Sequence, residues 1–139
     1  MRIESRDNHF EIDLSIAEDH SLPSLEDAYL SLDFSSHGFS GANELWVASR
    51  DLVAFCQALV TLEQTRQGEA LLRAADPREL QLRIYAIGPG EPLAIEGTTG
   101  YSISAPHGAF WHEARFGFEF AHHHLSAAIR LPWVQAHAA

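Results

Sequence analysis

Between Trp46 and Gly68 the apolar residues recur at helical spacing, whereas almost everywhere else they alternate with polar ones. Leu52, Phe55, Cys56, Leu59, Val60 and Leu62 make one apolar stripe, with Gln57, Thr61, Gln64 and Arg66 largely on the other side. Ser49 is the candidate N-cap, Asp51 places a carboxylate in the first turn, and Gly68 is the candidate stop. One amphipathic helix, about 49–66, in a strand-rich chain restricts the fold to α+β. The expected form is an antiparallel, twisted sheet of about 6–8 strands, its apolar face covered by that helix and a short C-terminal helix following.

The strands are read from period-two alternation. Phe10, Ile12 and Leu14 alternate with His9, Glu11 and Asp13, giving a strand over His9–Ser15. Ile16–Leu25, with Pro23, reads as a loop. Ala28, Leu30, Leu32 and Phe34 point one way and Asp27, Tyr29, Ser31, Asp33 and Ser35 the other. Ser35–Gly38 is turn material, and Phe39–Val47 returns as a strand in which Gly41 marks a bulge or bend. After the helix come Glu69–Ala74, a turn at Asp76-Pro77, and a strand carrying Leu80, Leu82, Ile84 and Ala86 on one face. Gly88-Pro89-Gly90 connects to Leu93–Thr98, which Gly97 and Gly100 are expected to break. Tyr101–Ser104 is then a separate edge strand. In Phe110–Phe120, Phe110, His112, Ala114, Phe116, Phe118 and Phe120 share one face, and Trp111, Glu113, Arg115 and Glu119 the other. Leu125, Ala128, Ile129 and Trp133 have helical spacing, interrupted near Leu131 by Pro132.

With 139 residues and no linker, repeat or low-complexity tract, the chain reads as one domain, 1–139. It carries 19 acidic residues against nine arginines and no lysine, for a net charge of -10. Nucleic-acid binding is not expected, because neutralising phosphates requires a basic surface. Schiff-base chemistry and a P-loop contact both need a lysine. No apolar run approaches a membrane span, no secretory leader is visible, and a single cysteine leaves no internal disulfide; a cytoplasmic setting is expected. Glu4, Asp7, Glu11, Asp13, Glu18, Asp19, Glu26, Asp27 and Asp33 crowd the first quarter of the chain beside only Arg2 and Arg6. They read either as a solvated surface or as a patch that steers a basic protein partner.

No constellation spells out a reaction. His122-His123-His124 are consecutive, so they fan out on a helix instead of converging, and their spacing matches no known zinc motif. The expectation is no catalytic residue, cofactor or metal; a bound metal would draw on His107, His112, His122 and His124. His112 reads as a core or core-edge histidine, or as a base if a substrate lies in reach. Cys56, on the helix's apolar stripe, reads as a small buried hydrophobe. Gly38-Phe39-Ser40-Gly41 lacks the second spacer of a nucleophile elbow and precedes a strand instead of a helix. Trp111, Glu113 and Arg115 combine residue types that suit a protein interface, and equally suit cross-strand pairing on a solvated face.

The order Glu44-Leu45-Trp46-Val47, the helix with Leu52, Phe55, Leu59 and Leu62, then Gly68-Glu69-Ala70-Leu71-Leu72, Glu79–Ile84, Leu93–Gly97 and Phe116-Gly117-Phe118-Glu119-Phe120 followed by Leu125 resembles the WapI-type bacterial immunity proteins and the small uncharacterised bacterial domains similar to them. The resemblance covers most of the chain after about Asp27 and rests on apolar positions and glycines. It implies a small, non-enzymatic cytoplasmic antidote that neutralises a cognate bacterial toxin, probed best through the neighbouring gene, since such antidotes are encoded beside their toxins. The expected partner is a basic protein toxin, met by Asp13, Asp27, Asp33, Trp111, Glu113 and Arg115. The alternatives are a small histidine- or metal-dependent hydrolase, and a structural or regulatory domain that self-associates, as a homodimer, through an exposed edge strand, either Tyr101–Ser104 or the N-terminal strand.

Overall fold

The computed structural model describes residues 1–16 and 27–139. The elements are β1 (Arg2–Ser5), β2 (Asn8–Ile16), β3 (Ala28–Ser36), β4 (Phe39–Val47), α1 (Ser49–Thr65), β5 (Glu69–Arg73), β6 (Leu80–Ala86), β7 (Leu93–Ala105), β8 (Gly108–Phe120), α2 (His122–Ala128) and α3 (Pro132–Ala138). All strand pairs are antiparallel, which makes the chain an α+β fold. The strands divide between two four-stranded sheets, β1-β2-β3-β4 before the main helix and β5-β6-β7-β8 after it. The helix is thus a hinge in the chain order as well as a cover. β1 extends the first sheet by a strand beyond those legible from alternation; its four residues are too few to show a period of two on their own.

The two inner faces share one core. Ile3, Phe10, Ile12, Leu30, Leu32, Phe34 and Leu45 come from the first sheet, and Leu72, Leu80, Leu82, Ile84, Leu93, Ile95 and Phe120 from the second. The joint between them is aromatic. The Phe116 ring stacks on Phe10, with centroids 5.2 Å apart, and on Phe34, at 4.6 Å. Where the sheets separate, the joint turns polar. Asn43 Nδ2 donates to Thr99 Oγ1 (3.0 Å) and to the Gly100 carbonyl (2.9 Å), and Thr99 Oγ1 donates to the Glu79 carbonyl (2.6 Å). These bonds pair polar groups that burial would otherwise leave unsatisfied.

α1 buries Leu52, Phe55, Cys56, Leu59 and Leu62 of the stripe read from its periodicity, leaves Val60 of that stripe half-buried, and lies against β5 and α3. Its ends depart from the sequence reading. The N-cap is Ala48 in extended conformation, and Ser49 is the first helical residue. The side-chain cap comes from outside the helix, since Asp27 Oδ1 accepts the Ser49 N–H at 3.1 Å. A local reading misses this because the capping residue lies 22 positions upstream. At the other end Arg66 takes the left-handed conformation (φ 56°) and its N–H bonds the Leu62 carbonyl, while Gly68 (φ 90°) turns the chain into β5. Replacing Asp27 by alanine is expected to cost about 0.5–2 kcal/mol, the worth of a lost cap. Urea unfolding of Asp27→Ala beside the parent protein measures it.

β7 and β8 form one unbroken hairpin of thirteen residues per strand, paired from Leu93↔Phe120 to Ala105↔Gly108. Gly97 and Gly100, expected to break the strand, do not, because aromatic rings of the neighbouring strand lie over them. A β-carbon on Gly97 would sit 2.7 Å from the Phe116 ring, and one on Gly100 would run into the Trp111 ring. Gly41 likewise lies under its partner Phe34, without a bulge in the register. Tyr101–Ser104 is therefore the distal part of β7 and not a separate strand. β6 pairs with β7 only as far as Thr99, and every residue from 101 to 113 is exposed. The hairpin's far half is an arm that leaves the core.

Pro132 opens α3 as its first residue, which places the expected bend near Leu131 between two short helices. No helix among the described residues is long and apolar enough to cross a membrane. The loop expected from Ile16 to Leu25 lies outside the described residues apart from Ile16, as do Glu18, Asp19 and Glu26.

Candidate partner-binding surfaces

Alternation sends every second residue of the first sheet outward, and the pairings place those residues side by side. Glu4 faces His9, Arg2 faces Glu11, Glu11 faces Asp33, and Asp13 faces Ser31. Glu44 stands opposite Ser31 on β4. The outward face thus carries five carboxylates, Glu4, Glu11, Asp13, Asp33 and Glu44, against the one guanidinium of Arg2, among the described residues. His9 sits at the centre. Its Nε2 lies 2.9 Å from Asp33 Oδ1 and 3.5 Å from Glu11 Oε2, and its Nδ1 lies 3.3 Å from Glu4 Oε1. Ligand atoms of His9, Glu11 and Asp33 lie within 4.8 Å of one another, the arrangement among the described residues that could hold a divalent cation. At the far edge, Tyr29 donates its hydroxyl to Glu44 (2.8 Å), which raises the phenol above its ordinary pKa, and packs edge-on against Trp46. Trp46 is therefore a surface residue of this acidic face.

The outward face of the second sheet is balanced instead. Arg83 is held between Glu69 and Glu96 and lies over the Tyr85 ring, 3.8 Å from its centroid. Arg78 pairs with Asp76 (3.0 Å), whose carboxyl the guanidinium holds below its usual range, and reaches over Trp111 at 5.1 Å. Arg78, Gln81, Thr98, Trp111, Glu113 and Arg115 line a shallow depression of about 320 Å³.

The six residues read as one partner surface therefore fall into three places. Asp13 and Asp33 share the acidic face. Trp111, Glu113 and Arg115 share the outward face of β8, on the other sheet. Asp27 caps α1. Glu4, Glu11 and Glu44 join Asp13 and Asp33 through strand register. Sequence alternation marks them as outward-facing but cannot bring separate strands together.

The histidines do not gather either. His107 lies in the turn of the β7–β8 hairpin and His112 on its exposed arm; His122 and His124 are the first and third residues of α2. No group of three metal-ligating side chains that includes any of them is found among the described residues. His112 is not a core residue. It stacks on Tyr101 at 5.2 Å, because the apolar face of β8 meets the core only from Ala114 onward. His122 Nδ1 lies near Arg66 (3.4 Å) and Ser126 (3.3 Å), while its buried Nε2 has no partner among the described residues. Burial, with His123 alongside, lowers the pKa of His124. Cys56 is fully buried, and burial pushes its thiol up to about 12, so thiolate chemistry is suppressed there.

No protein-family model, curated protein or solved structure matches this chain.

Proposed function

We propose that this is a non-enzymatic binding protein of immunity type that captures a basic cognate toxin on the outward face of β1–β4. One observation carries the reading: among the described residues, five carboxylates spread over all four strands of one sheet face against a single arginine, while the other sheet's outward face is close to balance. A face of one sign steers an oppositely charged partner and raises its association rate, most strongly at low salt. A rigid, hydrogen-bonded sheet presents those charges at fixed spacing, so little ordering cost falls on binding. The resemblance in apolar pattern supports the same reading, since the proteins it resembles act as antidotes by direct binding.

The test joins binding and protection. Any basic protein encoded by a gene adjacent to this one is expressed with and without this chain. Growth rescue by the parent protein, lost in Asp13→Lys/Asp33→Lys, is the expected result. The same pair of reversals slows association about tenfold or more at low salt and flattens its salt dependence. Rescue and association rate both unchanged by the reversals would remove the acidic face from the interaction.

A further inference from the structure

β8 is the outer strand of the second sheet, and among the described residues no strand pairs with it on the side away from β7. An open edge is a template for another strand. This one carries an unusual charge pattern. Residues 100–112 include no Asp, Glu, Lys or Arg, in a chain of net charge -10. Next come Glu113 and Arg115, two positions apart on the outward face of β8 and separated by Ala114. Arg78 and Arg83 are held by carboxylates close by. Glu113 and Arg115 make no ion pair among the described residues.

We propose that β8 pairs antiparallel with β8 of a second copy of this chain, in a register centred on Ala114, to give a two-fold dimer with a continuous eight-stranded sheet. Two-fold pairing sets each residue of the strand against another of the same strand, so the edge must complement itself under reversal. Centred on Ala114, Glu113 faces Arg115 of the second copy, and Arg115 faces its Glu113. Both unpaired charges are matched, twice. Trp111 falls opposite Gly117, repeating the aromatic-beside-glycine contacts this chain makes at Gly41, Gly97 and Gly100. Phe110, 60% exposed, falls opposite the half-buried Phe118. Charge also selects the place of contact. Two copies meeting through the outward face of the first sheet would set acid against acid, whereas the distal hairpin is uncharged. The inference does not rest on the toxin-binding reading, because it concerns the protein alone.

Sedimentation velocity across a concentration series tests it, with no partner present. The parent protein is expected to shift from monomer to dimer as concentration rises. Glu113→Arg sets four arginines across the two-fold axis, and Arg115→Glu sets four carboxylates; each is expected to weaken the dimer roughly tenfold or more. The swapped double variant, Glu113→Arg with Arg115→Glu, restores the same pairs in reverse and is expected to recover dimerisation to within a few-fold of the parent. Both positions are exposed, so thermal unfolding at concentrations where the parent is monomeric should change little across the series. A parent protein that stays monomeric to several hundred micromolar would overturn the proposal and leave the edge for a different chain. So would single reversals that leave the dimer intact, or a double variant no better than the singles.

Discussion

Phe10→Ala is expected to lower the unfolding free energy by about 3–5 kcal/mol, and Phe110→Ala by no more than about 0.5 kcal/mol. Both phenylalanines sit on the apolar face of an alternating strand, so their sequence surroundings do not separate them. Their positions in the fold do. Phe10 is fully buried on β2 and stacks on Phe116 from the other sheet. Truncating it removes the transfer free energy of a buried ring and opens a cavity where the two sheets meet. That cavity is bounded by paired strands, which cannot collapse into it without breaking register. For a domain of this size the loss is a large fraction of a total stability of about 5–15 kcal/mol. Phe110 is 60% exposed on the distal hairpin, so its loss removes little buried area. Urea midpoints for the two variants, at unchanged slope, make the comparison. Equal losses would mean that the hairpin's far half is packed after all.

Gly97→Ala is expected to cost about 1–3 kcal/mol, although one methyl group is all that is added. The new β-carbon would lie 2.7 Å from the Phe116 ring and 3.1 Å from the Gln81 carbonyl. The carbonyl belongs to the β6 backbone and cannot retreat. The ring cannot move outward either, because Phe10 and Phe34 stack against it. The strain should therefore pass through Phe116, which a double-mutant cycle can isolate. Phe116→Ala on its own is expected to be strongly destabilising. In the Phe116→Ala background the added methyl should cost far less than in the parent, so the double variant should be more stable than the sum of the singles allows. Strict additivity would place the strain in the β6 backbone alone. Gly100→Ala is the milder counterpart on the ring side, since Trp111 is 39% exposed and has room to swing, but the His112 carbonyl at 2.8 Å still opposes it.

These pairs show what a linear reading misses. Glycine in a strand usually reads as a bulge or a break, because it packs nothing. At Gly41, Gly97 and Gly100 the missing side chain is the point of the residue, since an aromatic ring fills its place. The ring that explains Gly97 lies 19 positions away along the chain, on β8. Asp27 misleads for the same reason. Its outward position in the alternation suggests surface, while the group it serves is the Ser49 N–H.

The acidic face shows the same division from the functional side. Each of Glu4, Glu11, Asp13, Asp33 and Glu44 is marked as outward-facing by its apolar neighbours, but their assembly on one surface follows from the order β1-β2-β3-β4 and its register. The partner surface read from sequence joined residues of both sheets, and the division of the strands between two sheets parts them.

Sequence by itself determined the α1 helix and its buried stripe, most strands and their faces, the place of Cys56 and the bend at Pro132. Each depends on periodicity or on a residue's own backbone limits, which are local properties. The tertiary structure alone decided that the strands form two sheets, that Phe116 and Asn43 join them, that the β7–β8 hairpin outruns the core, and which charges stand together. Those outcomes depend on contacts between residues far apart in the chain, and alternation says which face a side chain is on without saying what it meets there.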